Sequence, residues 1–369
     1  MTYPDGNGPT DAGPTSPEGT ETAGQPAHPA GIDPDRVGAW LAGQGLGLAA
    51  PLRFEQVAGG RSNLTYVVTD ATGRRCVLRR PPTGTLLPTA HDMGREHRII
   101  SALAPAGVPV PRALGYCEDP GVTGAPFYVM SFVEGRVLRG EGDSASYPLP
   151  TRRRICSELV DTLAHLHSLD PDAVGLGDLA RRDGYLARQL KRWYGQFQAS
   201  QQQGGPAVAD VDVVYERLVE RQPEQGPAGI VHGDYRLDNT VIAGDGSLAA
   251  VLDWELCTLG DVLADVGQLL VYWTDPGETS ALMDSATADE GFLTREEVAA
   301  RYAEVSGRSL ADLDYYLAFA AWKLACILEG VYARYAAGAM GRDGFDFHRY
   351  PETIRRLAAQ AREAAGRLG

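Results

Sequence analysis

The chain is poor in cysteine. Its five cysteines, Cys76, Cys117, Cys156, Cys257 and Cys326, stand far apart and form no CxxC pair. That spacing excludes a disulfide framework and a tetrahedral zinc site. The thiols are expected to be isolated, in a reducing cytoplasmic setting. Basic charge is also short, with 34 Lys and Arg against 48 Asp and Glu and a net charge of -14. A nucleic-acid partner, which needs a basic face, is therefore not expected. The acidic excess mainly serves solubility and, more weakly, fits a cationic substrate. No apolar run reaches membrane-spanning length. The best candidate, residues 315–327, is interrupted by Lys323 and is expected to be a buried helix, so no membrane partner is expected either. Residues 1–30 hold Pro, Gly, Thr and acidic residues without an apolar core. They are expected to be a disordered tail rather than a signal peptide. Neither HExxH nor GxSxG occurs, and His165 and His167 are two apart on a helix and diverge.

What is present is enough for a real core, with 44% hydrophobic residues. After a weak helix at 35–46, short apolar runs at 52–57, 64–69 and 76–79 are punctuated by Gly59-Gly60 and Ala71-Thr72-Gly73, the pattern of a strand meander. Helical spacing of Met93, Ile100 and Leu103 predicts a helix over 90–104, closed by Pro105, Pro109 and Pro111. Strands at 113–117 and 126–133 complete a small α+β lobe over 31–133. Beyond Glu134-Gly135 the pattern turns helical: Ile155, Leu159, Leu163 and Leu166 share a face, and helices are expected at 184–198 and 210–221. A capping box is expected at Thr294–Glu297 and a long buried helix at 312–336. A β-rich lobe followed by a larger helical lobe over 134–369 implies a cleft between them.

The polar residues at strand ends carry the chemistry. Val231-His232-Gly233-Asp234 runs on to Asn239, and Asp253 ends the apolar run 248–252. Phosphoryl transfer from Mg-ATP needs three such groups: one carboxylate to orient the attacking hydroxyl and take its proton, and an amide and a second carboxylate to hold the metal. Asp234 fits the first role, Asn239 and Asp253 the second, with Mg²⁺ suited to oxygen ligands. Gly-Asp and Asp-Asn also make ordinary turns, and Asp253 could cap a following helix. Gly59-Gly60-Arg61-Ser62-Asn63 lies between two strands, where glycines allow close approach to phosphates and Ser62 or Asn63 can donate to them. Arg79 and Arg80 end the third strand; alternation puts them on opposite faces, and Arg79 is preferred as the phosphate-facing cation, oriented by Glu96. Asp261 and Asp265 are read as sharing a helix face, with Asp261 capping the helix and bracing the loop. His232 is expected to anchor the loop backbone.

These segments resemble the aminoglycoside phosphotransferase and choline kinase family, whose members share the two-lobed protein-kinase-like fold. Gly60, Ser62 and Asn63 look like its nucleotide loop, Glu96 like its helix glutamate, and Asp253-Trp254-Glu255 stands where protein kinases carry Asp-Phe-Gly. Val77–Pro82 with Leu86–His91, and Gly124–Met130, look like a subgroup related to the kinase-like domain fused to some acyl-CoA dehydrogenases. The resemblance implies ATP and Mg²⁺ as cofactors and adenine meeting the backbone near Ser131 and Val133. It also implies a small-molecule hydroxyl as acceptor. An aminoglycoside or other antibiotic, a hydroxyacyl compound and an amino alcohol all stay open. Trp254, Glu255, Tyr272, Trp273 and Trp322 are candidates to line the acceptor pocket. An Arg replaces the family's phosphate-binding Lys, and no Ala-Pro-Glu segment follows Asp253, which argues against a protein kinase. The alternatives are an inactive nucleotide-binding module and a metal-dependent hydrolase. Oligomeric state is not legible.

Overall fold

The computed structural model describes residues 29–57, 63–83, 91–202, 208–279, 284–336 and 347–369. Residues 1–28 of the expected tail, and Gly60 and Ser62 of the expected nucleotide loop, lie outside the described residues.

The small lobe opens with α1 (Pro34–Gly43), started by Asp33, whose carboxylate accepts from the N–H groups of Asp35 and Arg36. Strands β1 (Arg53–Gln56), β2 (Leu64–Thr69) and β3 (Arg75–Arg80) follow, then α2 (Met93–Leu103), β4 (Ala113–Cys117), the single turn α3 (Pro120–Thr123) and β5 (Phe127–Ser131). The five strands form one antiparallel sheet in the order β1-β2-β3-β5-β4. At the β2–β3 turn Asp70 gathers the N–H groups of Ala49, Thr72 and Arg74, which hold its pKa down to about 2. Alternation along the strands sorts the faces. Tyr66, Val68, Cys76, Leu78, Phe127 and Val129 are buried with Val37 and Leu41 of α1, each aliphatic side chain contributing about 1.5–3 kcal/mol. Arg79, paired in register with Tyr128, looks the other way, toward α2 and the cleft.

The chain crosses to the larger lobe at Gly135. Its φ of 151° and the Ile242 carbonyl, which a Cβ would meet at 2.5 Å, leave room for glycine alone. Next to it, Arg136 and Ile242 exchange two backbone hydrogen bonds of 2.8 Å. The larger lobe contains α4 (Leu149–Ser168), α5 (Tyr185–Gln201), α6 (Ala209–Glu220), β6 (Gly229–Val231), β7 (Thr240–Ile242), β8 (Leu248–Val251), β9 (Thr258–Gly260), α7 (Leu263–Tyr272), α8 (Arg295–Ser306), α9 (Leu313–Ala336) and α10 (Tyr350–Gly366). β6 pairs with β9 and β7 with β8, both antiparallel. β7 and β9, three residues each, are too short to show as an apolar period. The capping box forms in full, Thr294 accepting from Glu297 N–H while Glu297 accepts from Thr294 N–H. α9 is long and apolar enough to cross a membrane by length and composition, but 72% of its apolar window is buried, packed against α5, α7 and α10. All five cysteines are free and buried; burial pushes Cys76 up to about 11 and Cys156 and Cys257 up to about 12.

Candidate active site

The loop after β6 is braced from beneath. Gly233 sits at φ 87°, and a Cβ there would meet the Leu256 carbonyl at 2.7 Å, so the tight turn requires glycine. Asp265, in the first turn of α7, accepts from the N–H groups of His232 at 2.6 Å and Gly233 at 2.8 Å, and lies 3.3 Å from His167 Nε2. Burial opposes the Asp265 charge, but His167 and these N–H donors outweigh it and its pKa is lowered. The reading of Asp261 as a cap for the first N–H of α7 holds, but its shared helix face with Asp265 and its bracing of the loop need correction. Asp261 precedes the helix, accepts from Leu263 N–H and Tyr316 Oη, and leaves the bracing of the loop to Asp265. His232 anchors backbone, with Nε2 bonded to the Leu252 carbonyl and Nδ1 to Asp234 N–H. One nitrogen faces an acceptor and the other a donor, which is the neutral tautomer.

On that base sit the polar groups. Asn239 donates from Nδ2 to the Asp234 carbonyl at 2.9 Å and to Asp234 Oδ2 at 2.8 Å, which turns its amide oxygen away from Asp234. Gln268 donates from Nε2 to Asp234 Oδ1 at 2.7 Å. Asp253, two residues past β8, has φ 63°, a left-handed conformation that costs a non-glycine residue roughly 1–3 kcal/mol. Its carboxylate does not cap the turn that follows. It accepts from Arg79 Nη2 at 2.6 Å.

Arg79 therefore faces three carboxylates, Asp253, Glu96 at 2.9 Å and Glu255 at 3.5 Å. Burial works against its charge, but Glu96 and Asp253 overcome it and raise its pKa. Burial raises the Glu96 pKa while Arg79 pulls it down. Tyr128 Oη donates to Glu96, and Asn63 Nδ2 donates to both Glu96 and Glu255, at 3.0–3.1 Å. His91 holds Asn63 from behind at 2.8 Å. Arg80 points to the opposite side of the sheet and donates to the carbonyls of Pro81, Gly31 and Thr123.

Two cavities flank this cluster. One, about 240 Å³, is lined by Asn63, Arg79, Met130, Asn239, Asp253 and neighbouring residues. Ser131 and Val133 do not line it: the Ser131 N–H is bonded to the Arg112 carbonyl, and Met130 takes the wall position. The other, about 380 Å³, opens beside Gly233 between Glu255, Arg95, Arg192 and Lys323. Of the aromatic candidates, Trp254, Trp273 and Trp322 are core residues, their indole N–H groups bonded to the carbonyls of Val251, Leu293 and Val211. Tyr272 stacks under Arg236 instead, 4.7 Å from it. Sequence reasoning missed Gln268, Tyr128 and the bracing role of Asp265. Lys323 carried a signal, a cation inside an apolar helix, which a folded protein tolerates only with partners.

The model of the phosphotransferase enzyme family matches residues 53–303, more than half of the chain. The chain belongs to that family. The chicken acyl-CoA dehydrogenase family member 11 is 34% identical over 329 residues, covering 87% of this chain and 41% of that protein. The chain thus spans less than half the length of this relative. Among solved structures, a candidate aminoglycoside phosphotransferase from Ralstonia eutropha JMP134 superposes with a TM-score of 0.76 and 31% identity, covering 92% of this chain and 99% of the other. A thermostable mutant of an aminoglycoside phosphotransferase, solved with AMP-PNP and hygromycin B, shares the fold at a TM-score of 0.54 and 17% identity, covering 83% and 93%. The two-lobed kinase-like architecture is thus that of small-molecule phosphotransferases.

Proposed function

We propose that this chain transfers the γ-phosphate of ATP to the hydroxyl of a small molecule. The observation that carries this reading is the meeting of Arg79, Asn239 and Asp253 on one cavity, with Asp234 hydrogen-bonded to Asn239 at its edge. The donor set fits Mg²⁺: the Asn239 amide oxygen and the Asp253 carboxylate are hard oxygen ligands, and Mg²⁺ takes one or two of these with phosphates and water completing its shell. When bound, the metal neutralises the developing charge on the phosphates. Arg79 binds phosphate oxygens through the guanidinium that otherwise pairs with Asp253, leaving that carboxylate for the metal. Gly60, Ser62 and Asn63 are the residues proposed to bind the phosphates. Adenine would lie against the wall that Met130 forms, since Ser131 and Val133, the backbone expected to meet it, do not line the cavity. Asp234 accepts the hydrogen bond of the attacking hydroxyl and takes its proton late.

The acceptor enters the second cavity. Arg95 and Arg192 line it, and neither forms an ion pair among the described residues. Lys323 adds a third cation and Asp92, Glu96 and Glu255 three carboxylates, a balanced lining that accommodates an amino alcohol or aminoglycoside as well as a hydroxyacyl compound. Acceptor-dependent ADP formation tests the reading. The panel holds aminoglycosides, amino alcohols, hydroxy acids and hydroxyacyl-CoA thioesters, with Asp234→Asn as control. Turnover with one acceptor class, lost in the control, is expected. Mg-ATP binding with no turnover across the panel would return the chain to the role of a nucleotide-binding module.

A further inference from the structure

Asp234 is held by a group from outside its own loop. Gln268, on α7 and almost wholly buried, donates to Asp234 Oδ1, while Asn239 donates to Oδ2. An amide can present either its N–H₂ or its oxygen to a carboxylate, and only the first is attractive. What decides between them here is Lys323, buried in the middle of α9. Its Nζ lies 2.9 Å from Gln268 Oε1 and 3.1 Å from the Gly233 carbonyl. An ammonium has three donors and no acceptor, so the Gln268 atom facing it must be the oxygen. The nitrogen is then turned to Asp234.

We propose that Lys323 and Gln268 form a positioning relay for the phosphotransfer base: the ammonium fixes the orientation of the amide, and the amide fixes the carboxylate of Asp234 so that its remaining lone pairs face the attacking hydroxyl. The inference rests on the reading of Asp234 as that base. Neither residue touches the reacting atoms by this arrangement. The environment is built for the purpose. Burial disfavours the Lys323 charge and Arg192 adds to this, while Asp234 and Asp265 favour it. The cation thus sits buried between two carboxylates and two hydrogen-bond acceptors, a placement costly enough to need a return. Without the ammonium, the amide is free to rotate by half a turn and set its oxygen against Asp234. Without the amide, Asp234 has Asn239 on one oxygen and Arg236, at 3.5 Å, as the nearest competing charge.

The test uses the full chain with three variants, Gln268→Met, Lys323→Met and the double variant, with Asp234→Asn beside them. Turnover is read as ADP formation from Mg-ATP with the same acceptor panel, and with water as acceptor. Gln268→Met is expected to lower kcat by about ten- to a hundredfold, the loss of one hydrogen bond to a half-buried charged group, with KM for ATP within about twofold of the parent. Lys323→Met is expected to lower kcat similarly. The double variant is expected to fall no further than the worse single one, because both changes break the same chain. Effects that multiply would overturn the relay, as would Gln268→Met at the parental kcat while Asp234→Asn is inactive. Full activity in Asp234→Asn would instead remove Asp234 as the base, a separate failure. Where Lys323→Met does not fold, a crystal structure of Gln268→Met decides independently of turnover: the Asp234 carboxylate is expected to rotate toward Arg236, and an unmoved carboxylate would sink the proposal.

Discussion

Asp234 and Asp253 are carboxylates on neighbouring loops, and they are held in opposite ways. Asp234 is fixed inside one lobe, by the neutral amides of Asn239 and Gln268, over a loop braced by Asp265. Asp253 is held across the cleft by a guanidinium from the other lobe, on backbone with positive φ. The first arrangement persists however the lobes sit; the second exists only when they close on each other. A charge-assisted pair is stronger than an amide hydrogen bond, but it can be exchanged for another anion, which a neutral amide does not invite. Under the proposed function, the difference suits a fixed base beside a site that must open, take a phosphate and release a metal ligand.

Four experiments sharpen or break this contrast. Asp234→Asn is expected to lower transfer by about 10²–10⁴-fold while Mg-ATP affinity by calorimetry stays near the parent, since the base contributes to the reaction and not to nucleotide binding. A matching loss of affinity would mean that the two carboxylates are not separate devices. Asp265→Ala strips two backbone N–H groups and His167 of their acceptor, and is expected to cost about 3 kcal/mol by urea unfolding. A loss under 1 kcal/mol would show a loop that holds itself. Arg79→Met is expected to weaken Mg-ATP binding about tenfold or more, and Arg79→Lys by less, because a point charge still reaches the phosphates but loses the fork.

The smallest effect comes from a third carboxylate, held by far less. Glu329 has one described donor, Gln201 Nε2 at 2.9 Å, and its other oxygen is buried without one. Burial raises its pKa to about 7 from 4.5. Between those values the folded chain binds a proton the unfolded chain does not, so stability falls as pH rises through the window and the penalty is complete above it. Glu329→Gln is expected to melt higher than the parent at pH 8, with the gap closing toward pH 5. A gap independent of pH would assign the effect to packing.

The parts of the site legible in the sequence were those encoded locally. Asp234, Asn239 and Asp253 stand at strand ends within twenty residues of one another, and strand alternation separates Arg79 from Arg80 without any knowledge of the fold. Helix starts were legible for the same reason, as at Thr294–Glu297. What was not legible depends on contacts far apart in sequence. Gln268 reaches back 34 residues to Asp234, and Lys323 another 55 to Gln268. Asp261 and Asp265 were read as sharing one helix face, with the bracing given to Asp261, because nothing local shows that the helix starts between them, at Leu263. Trp254, Trp273 and Trp322 went to the core, where each indole N–H found a backbone carbonyl, because large rings bury before they line a cleft.

The five buried thiols give the molecule a built-in clock. Cys76 and Cys117 lie in the small lobe, and Cys156, Cys257 and Cys326 in the large one, all shielded from water and all held protonated by burial. An alkylating reagent needs an exposed thiolate, so each cysteine reacts only as often as its surroundings come apart. Peptide-resolved labelling over hours would time the breathing of each half separately, with no probe added and no residue changed. Saturating nucleotide would then slow the ticking of whichever half it ties down.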